Sequence, residues 1–468
     1  MSVSTKINSF VRLFKQAIKG DEQEYTSGSI DKAIFLLSVP MILEMCMESV
    51  FAVVDAYFVG QLNDNDAVAT IGLTESVLTL IYSIAMGFSM GATAMIARRV
   101  GEKDIKSAEV AAVQTIYIGL GLSMIISLVG IFFAGDILRI LGGSEQLIHR
   151  NVGYTRLMLG GNISIMMLFL INGIFRGAGN ASIAMRSLLL ANIINIVLDP
   201  IFIFGLGPIP ALGVEGAAVA TTTGRGCGVL YQLYHLFKGN GMIKVTLKNM
   251  VLRLDIIMKL VNVSLGGIGQ FLIASASWIF LYRIVSTFGS AAMAGYTFAI
   301  RVIIFAILPA WGMANAAATL VGQNLGAGKP DRAEKSVWRA AFFNMIFLAF
   351  VTLLFLLLAR PILNIFSNDP EVIRNGVQCL QIVSLGYVFY AYGMVMTQSF
   401  NGAGDTLTPT LINFVGFWLF QIPLAYTLAI LLDIGIPGVF AAISIAESLI
   451  AVAGIMIFRQ GKWKAMKI

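Results

Sequence analysis

The feature that most narrows the fold is a succession of long apolar stretches, parted by short polar breaks, along nearly the whole chain. A helix crossing the hydrocarbon of a bilayer needs about 20 apolar residues. The breaks mark out spans at 33–59, 68–97, 110–134, 154–174, 187–207 and 213–237, then at 256–285, 291–321, 337–359, 378–400, 408–432 and 437–458. Only 12% of the 468 residues are charged, against about 25% in a soluble domain. Mean hydropathy is +0.84. Too little polar surface remains for a soluble enzyme, a nucleic-acid binder or a disordered scaffold, in spite of a formal net charge of +7. The expected fold class is an all-α integral membrane protein with twelve transmembrane helices. Cys46, Cys227 and Cys379 fall inside apolar runs and read as small buried hydrophobes, not as a disulfide framework.

Lys and Arg in the loops orient such a chain, because they are retained on the cytoplasmic side. One side collects 24 of the 32 basic residues, among them Lys6, Arg12, Lys103, Lys106, Lys244, Lys248, Lys329, Lys335, Lys464 and Lys467. The other holds Arg139, Arg150, Arg156, Arg360 and Arg374, while Arg225, Arg283 and Arg301 sit within spans. Every lysine lies on the first side, so both termini are expected in the cytoplasm. Residues 1–32 carry no secretory signal; Phe10, Val11, Leu13, Phe14 and Ile18 against Lys6, Arg12, Lys15 and Lys19 suggest an amphipathic stretch at the membrane surface.

Sliding the chain against itself by 225 residues brings Gly101, Ala108 and Glu109 onto Gly326, Ala333 and Glu334. It also brings Ile137-Leu138 onto Ile362-Leu363, Gly177-Ala178-Gly179 onto Gly402-Ala403-Gly404, and Gly213-Val214 onto Gly438-Val439. Polar and glycine motifs matching at one offset mark an internal repeat. Each copy contains six spans, an even number, so the copies enter the membrane from the same side. A parallel repeat of this kind has a pseudo-twofold along the membrane normal, and transporters built so place substrate between the halves. The expected organisation is a cytoplasmic segment 1–32, a six-helix lobe 33–237, a linker 238–255, a second six-helix lobe 256–458 and a basic tail 459–468.

Charged groups at bilayer depth are costly and invite a functional reading. The acids within spans are Glu44, Glu48, Asp55, Glu75, Asp199 and Glu447. The counterparts of the first five at the 225 offset, Gly269, Ile273, Phe280, Ile300 and Leu424, are all uncharged. Helix periodicity puts Glu44, Glu48 and Asp55 on one stripe of the first span, and Asn192, Asn195 and Asp199 on one stripe of the fifth. Pro200 frees the carbonyl of Ile196 beside Asp199. Tyr154 and Asn172, five turns apart, share a face of the fourth span, and Thr221 and Thr222 add hydroxyls from the sixth. These stripes describe a hydrated cavity with two carboxylates and amide partners. Arg225 lies near the depth of Glu48, so a Glu48–Arg225 pair would remove Glu48 from proton exchange; Arg301 and Glu447 could neutralise each other similarly. Gly328-Lys329 is no phosphate loop, since Gln323 and Pro330 occupy positions that need Gly and Ser/Thr.

Twelve spans in two lobes resemble the multidrug and toxic compound extrusion (MATE) family, as do the motifs Val53-Val54-Asp55-Ala56-Tyr57-Phe58-Val59-Gly60, Arg176-Gly177-Ala178-Gly179-Asn180, Gly326-Ala327-Gly328 and Asn401-Gly402-Ala403-Gly404-Asp405. The resemblance implies a cation-coupled antiporter exporting amphipathic, often cationic compounds. In pattern it is closest to the proton-coupled prokaryotic branch, which implies coupling through Asp55, Asn195, Asp199 and Thr221 with Tyr154 and Asn172 nearby. Glu44, Glu48, Asn192, Thr222 and Arg225 are secondary candidates, because extra acids leave open which group of the first span titrates. The sodium-coupled branch resembles a pattern with acids in spans seven and ten, and this chain has none there. A flippase for lipid-linked precursors is a further alternative, for which a basic cavity would be expected. The reading is of a monomer in the inner membrane, not an enzyme, with no metal, no nucleic-acid partner and no cofactor beyond the coupling proton or sodium.

Overall fold

The computed structural model describes residues 3–20, 25–62, 64–239 and 241–468; residues 21–24 and the side chain of Lys6 lie outside this description. Helix α1 (Val3–Lys19) precedes α2 (Ile30–Gly60), α3 (Asn65–Gly101), α4 (Ile105–Ile140), α5 (Glu145–Gly160), α6 (Ile163–Gly177), α7 (Ala181–Phe204) and α8 (Val214–Lys238). After a linker come α9 (Leu254–Ser286), α10 (Ser290–Gly326), α11 (Pro330–Asn364), α12 (Pro370–Ser384) and α13 (Tyr387–Ala403). Two further helical segments, Leu407–Leu431 and Ile436–Arg459, complete the chain. Among the described residues ten helical stretches are long and apolar enough to cross a membrane, with α5 and α6 counted together, and the α12–α13 pair, bent by 59° at its break, makes an eleventh. The twelfth expected span is α8, 25 residues long, whose Thr221-Thr222-Thr223-Gly224-Arg225-Gly226 run leaves it less apolar than those ten.

The 225-residue offset reappears in the elements. Helices α3 and α10 begin at 65 and 290 and end at 101 and 326; α4 and α11 begin at 105 and 330, α5 and α12 at 145 and 370. The fourth span breaks at Gly161 and its counterpart at Gly386, again 225 apart. The shared Gly-Ala-Gly motif has two physical tasks. Its last glycines, Gly179 (φ +83) and Gly404 (φ +90), hold the left-handed conformation that ends a helix. Its first glycines let two helices touch: a Cβ on Gly177 would stand 2.9 Å from the Thr93 carbonyl, and one on Gly402 would strike the Ala318 carbonyl.

Loop residues cap the helices they precede. Asp104 accepts the Ser107 amide at 3.1 Å, and its hydrogen bonds to Ser107 hold this carboxyl below the ordinary aspartate value. Glu109 and Glu334, matched in the repeat, each tie down the segment that follows the sixth helix of their own copy. Glu109 accepts from the Lys244 amide at 3.2 Å and from Asn249 at 2.7 Å. Glu334 pairs with Lys464 at 2.6 Å and holds that ammonium above the usual lysine value.

The chain forms two compact units, Met1–Gln23 with Leu43–Ser264, and Glu24–Ile42 with Leu265–Ile468. The division between these units falls within α2 and α9. Both helices are long, 31 and 33 residues, and each begins in one unit and ends in the other. In the second unit the start of α2 is held to α11 by Arg339, which pairs with Asp31 at 2.9 and 2.6 Å.

Candidate functional site

The polar residues of the first unit assemble where α2, α7 and α8 meet. Gly224 and Gly228 of α8, four residues apart, let α7 approach: Cβ atoms there would stand 2.7 Å from the Ala191 carbonyl and 2.9 Å from the Ser187 carbonyl. Small residues at this spacing are a common way to bring membrane helices into backbone contact. The contact sets Asn195 against Thr221. Asn195 Nδ2 donates to Asp199 Oδ1 at 3.1 Å and to Thr221 Oγ1 at 3.4 Å, and Thr221 donates to Asp55 Oδ1 at 3.4 Å. A chain of hydrogen bonds thus joins the two aspartates. Asp199 is fully buried, its Oδ2 lacks a hydrogen-bond partner, and no ion pair to it exists among the described residues. Tyr154, also buried, lies within electrostatic reach of Asp55, Glu75 and Asp199.

One α2 turn toward the start of the chain from Phe51, Glu48 pairs with Arg225 at 2.8 Å. A second cluster lies one α2 turn before Glu48. Asn172 donates to Glu44 Oε1 at 2.8 Å, Arg176 approaches the same oxygen at 3.3 Å, and Gln232 donates to Asn172 and, at 2.9 Å, to Ser187. The α2 and α8 stripes therefore pair in antiparallel order: Asp55 with Thr221, Glu48 with Arg225, and Glu44 with Gln232 through Asn172.

Several expectations need correction. Asn172 is not beside the aspartates with Tyr154 but belongs to the Glu44 cluster. The five-turn count assumed one continuous helix, and the break at Gly161 interrupts it. Arg176, one of the 24 basic residues assigned from the sequence to the cytoplasmic side, is 8% exposed and lies within α6. Asn192 donates to the Met47 carbonyl at 2.7 Å, and Thr222 turns its methyl toward Gly161, where an added Cβ would stand 2.6 Å away. Arg301 is exposed, and no pair with Glu447 exists among the described residues; Glu447 instead lies within electrostatic reach of Tyr387 and Tyr390. Gln232 lies eleven residues from Thr221 on the same stripe of α8, a spacing that places it with the site although a lone amide near a helix end carries no signal of its own. In the second unit the counterpart of Asp55, Phe280, meets the Trp418 ring edge-on at 5.2 Å, so aromatic packing stands where the first unit has its polar chain.

The MatE family model matches the chain twice, over residues 40–201 and 267–427, once in each repeat. The chain belongs to the MatE family. Among curated MatE-like relatives, the "Probable multidrug resistance protein NorM" of Thermotoga maritima is 26% identical over 462 residues, covering 97% of this chain and 96% of the relative. The "Multidrug export protein MepA" of Staphylococcus aureus is 24% identical over 441 residues, covering 93% and 96%. Solved structures agree in fold. An outward-facing multidrug resistance MATE family transporter superposes with a TM-score of 0.88 at 27% identity, covering 93% of this chain and 96% of that one. A MOP superfamily transporter from Pyrococcus furiosus gives the same TM-score and identity, with 95% and 98% covered. The MatE fold, an all-helical multi-span membrane protein in two lobes, is thereby shown.

Proposed function

We propose that this MatE protein is a multidrug exporter that drives amphipathic, often cationic small molecules out of the cell by proton antiport, alternating access between its two lobes, with both termini in the cytoplasm. The observation that carries the coupling site is Asp199. A fully buried carboxylate with one amide donor and no basic partner among the described residues is costly at bilayer depth. Its countercharge has to come and go: a proton or a cationic substrate. Asp55, tied to it through Thr221 and Asn195, shares that exchange, and binding of proton and drug at one place makes their free energies mutually dependent.

Proton coupling is favoured over sodium by the makeup of the polar chain: Asp199 and Asp55 are joined through one amide and one hydroxyl, a set that relays hydrogen bonds but offers few oxygens to a hard cation, which takes several oxygen ligands. The test is uptake of a fluorescent cationic drug into proteoliposomes energised by either a pH or a sodium gradient. Transport should follow the pH gradient, and Asp199→Asn, which keeps volume and hydrogen bonding, should reach the membrane yet lose at least tenfold of drug-linked proton release. Transport that follows sodium alone, or an Asp199→Asn variant with wild-type antiport, would refute the reading.

A further inference from the structure

A guanidinium carries five N–H donors in a fixed fork and keeps its proton in proteins. Arg225 is 3% exposed, and its NH2 donates to Glu48 Oε1 at 2.8 Å. Its Nε and NH1 are buried without a hydrogen-bond partner among the described residues. Its Cζ lies over aromatic surface, 4.5 Å from the ring centre of Phe51 and 5.6 Å from that of Tyr82. On α2, Phe51 stands between Glu48 and Asp55, at i+3 in the series i, i+3, i+7, so all three share a face. On α8, Arg225 stands one turn from Thr221, which donates to Asp55. The guanidinium thus rests over Phe51, midway along the two turns that separate the acids, with donors unused among the described residues, and it attracts both.

We propose that Arg225 is a positioning residue shared between Glu48 and Asp55: it stays on Glu48 while Asp55 is protonated and re-aims past Phe51 toward Asp55, two turns along α2 from Glu48, when that proton leaves. The proposal rests on the proton-antiport reading. The proton goes to water, Arg225 keeps its own proton throughout, and the vacated Glu48, whose side chain is 26% exposed, takes up solvent. The groups within electrostatic reach of Asp55 are Glu75 and Tyr82 on α3, Tyr154 on α5, Asp199 on α7, and Thr221 and Arg225 on α8, with Glu48 on the same face of its own helix. Arg225 is the one cation in that set. The slide along the rings of Phe51 and Tyr82 keeps the cation on π-surface at both ends, so it does not become bare in the low-dielectric interior on the way.

The experiment measures the pH midpoint of drug-linked proton release in proteoliposomes for wild type, Arg225→Gln, Glu48→Gln and the double variant. Without Arg225 an ionised Asp55 loses its cation, so the midpoint of Arg225→Gln should move alkaline by about one pH unit, the size expected for a unit charge at this range in protein surroundings. Without Glu48 the guanidinium is committed to Asp55, so the Glu48→Gln midpoint should move the opposite way, to acid. The double variant should behave as Arg225→Gln does. Arg225→Lys, which keeps the charge but not the fork, should fall between wild type and Arg225→Gln, and it covers the case in which the glutamine variant does not fold. A merely structural ion pair would lower thermal stability in both single variants and leave the midpoints unmoved. Midpoints that do not move, or that move in the same direction, overturn the inference while wild-type transport still follows the pH gradient. A wild type indifferent to the pH gradient removes both this inference and the proton reading.

Discussion

Glu44 and Asp55 lie on one face of one helix, yet their surroundings give them different work. Glu44 has an arginine and an amide on one oxygen, with Arg176 at 3.3 Å and Asn172 at 2.8 Å, whereas Asp55 has, among the described residues, one threonine hydroxyl at 3.4 Å. A carboxylate held by a guanidinium is already neutralised and gains little by taking a proton; one held by a hydroxyl is not. Glu44 is therefore read as a tie among α2, α6 and α8, and not as a coupling acid. Removing one partner of a buried ion pair costs about 3–5 kcal/mol. Glu44→Gln keeps a group able to accept from Asn172, so the loss should sit at the lower end. The expected result is a melting temperature in detergent lower by several degrees, with drug-linked proton release per folded molecule within twofold of wild type. Loss of proton release without loss of thermal stability would move Glu44 into the coupling site.

Helix contacts explain why polar side chains meet at all. Close approach depends on glycines placed where a neighbour's carbonyl arrives, and Gly177 and Gly402 perform that task at matching places in the repeat. Their substitution should be costly to different degrees. A Cβ on Gly402 runs into the Ala318 carbonyl, while one on Gly177 stops 2.9 Å from the Thr93 carbonyl. Overpacking typically costs about 1–3 kcal/mol, so Gly402→Ala should lower the melting temperature more than Gly177→Ala does, as followed by fluorescence-detected gel filtration after heating. Equal melting temperatures for the two would mean that the helices part without strain. The repeat was legible in the sequence because such glycines and loop acids stay put while apolar residues drift. The α2, α7 and α8 stripes were legible because these helices are unbroken across their polar residues, and periodicity then reports which residues share a face. The face shared by Tyr154 and Asn172 was not, because a Gly-Asn pair in the middle of a span does not announce a break by composition. Nor was Arg176 as a buried partner: next to a Gly-Ala-Gly loop it looks like any cytoplasmic arginine, and only the packing of α6 against α2 draws it inside.

At the scale of the whole molecule, the orientation of the chain decides which way a proton gradient pushes. Every lysine lies on one side of the spans, and lysines held in short loops resist translocation, so that side should be the cytoplasm. Exposed positions permit a direct measurement. Gln146 near the start of α5 and Asn368 just before α12 belong to the lysine-free side, and both are exposed. Lys106 and Lys335, near the starts of α4 and α11, are exposed on the other. In a background with Cys46, Cys227 and Cys379 replaced, Gln146→Cys and Asn368→Cys should react with an impermeant maleimide added to intact cells. Lys106→Cys and Lys335→Cys should react only after the membrane is opened. Using one position from each repeat makes the experiment discriminate further. Because each copy has an even number of spans, positions 225 apart should report the same side, and Lys106 is close to such a counterpart of Lys335. Labelling of Lys106→Cys but not Lys335→Cys from outside would mean that one copy crosses the membrane an odd number of times, and α8, the least apolar candidate span, would be the first helix to re-examine. Labelling of both from outside would reverse the orientation, and with it the direction in which the proton gradient drives drug.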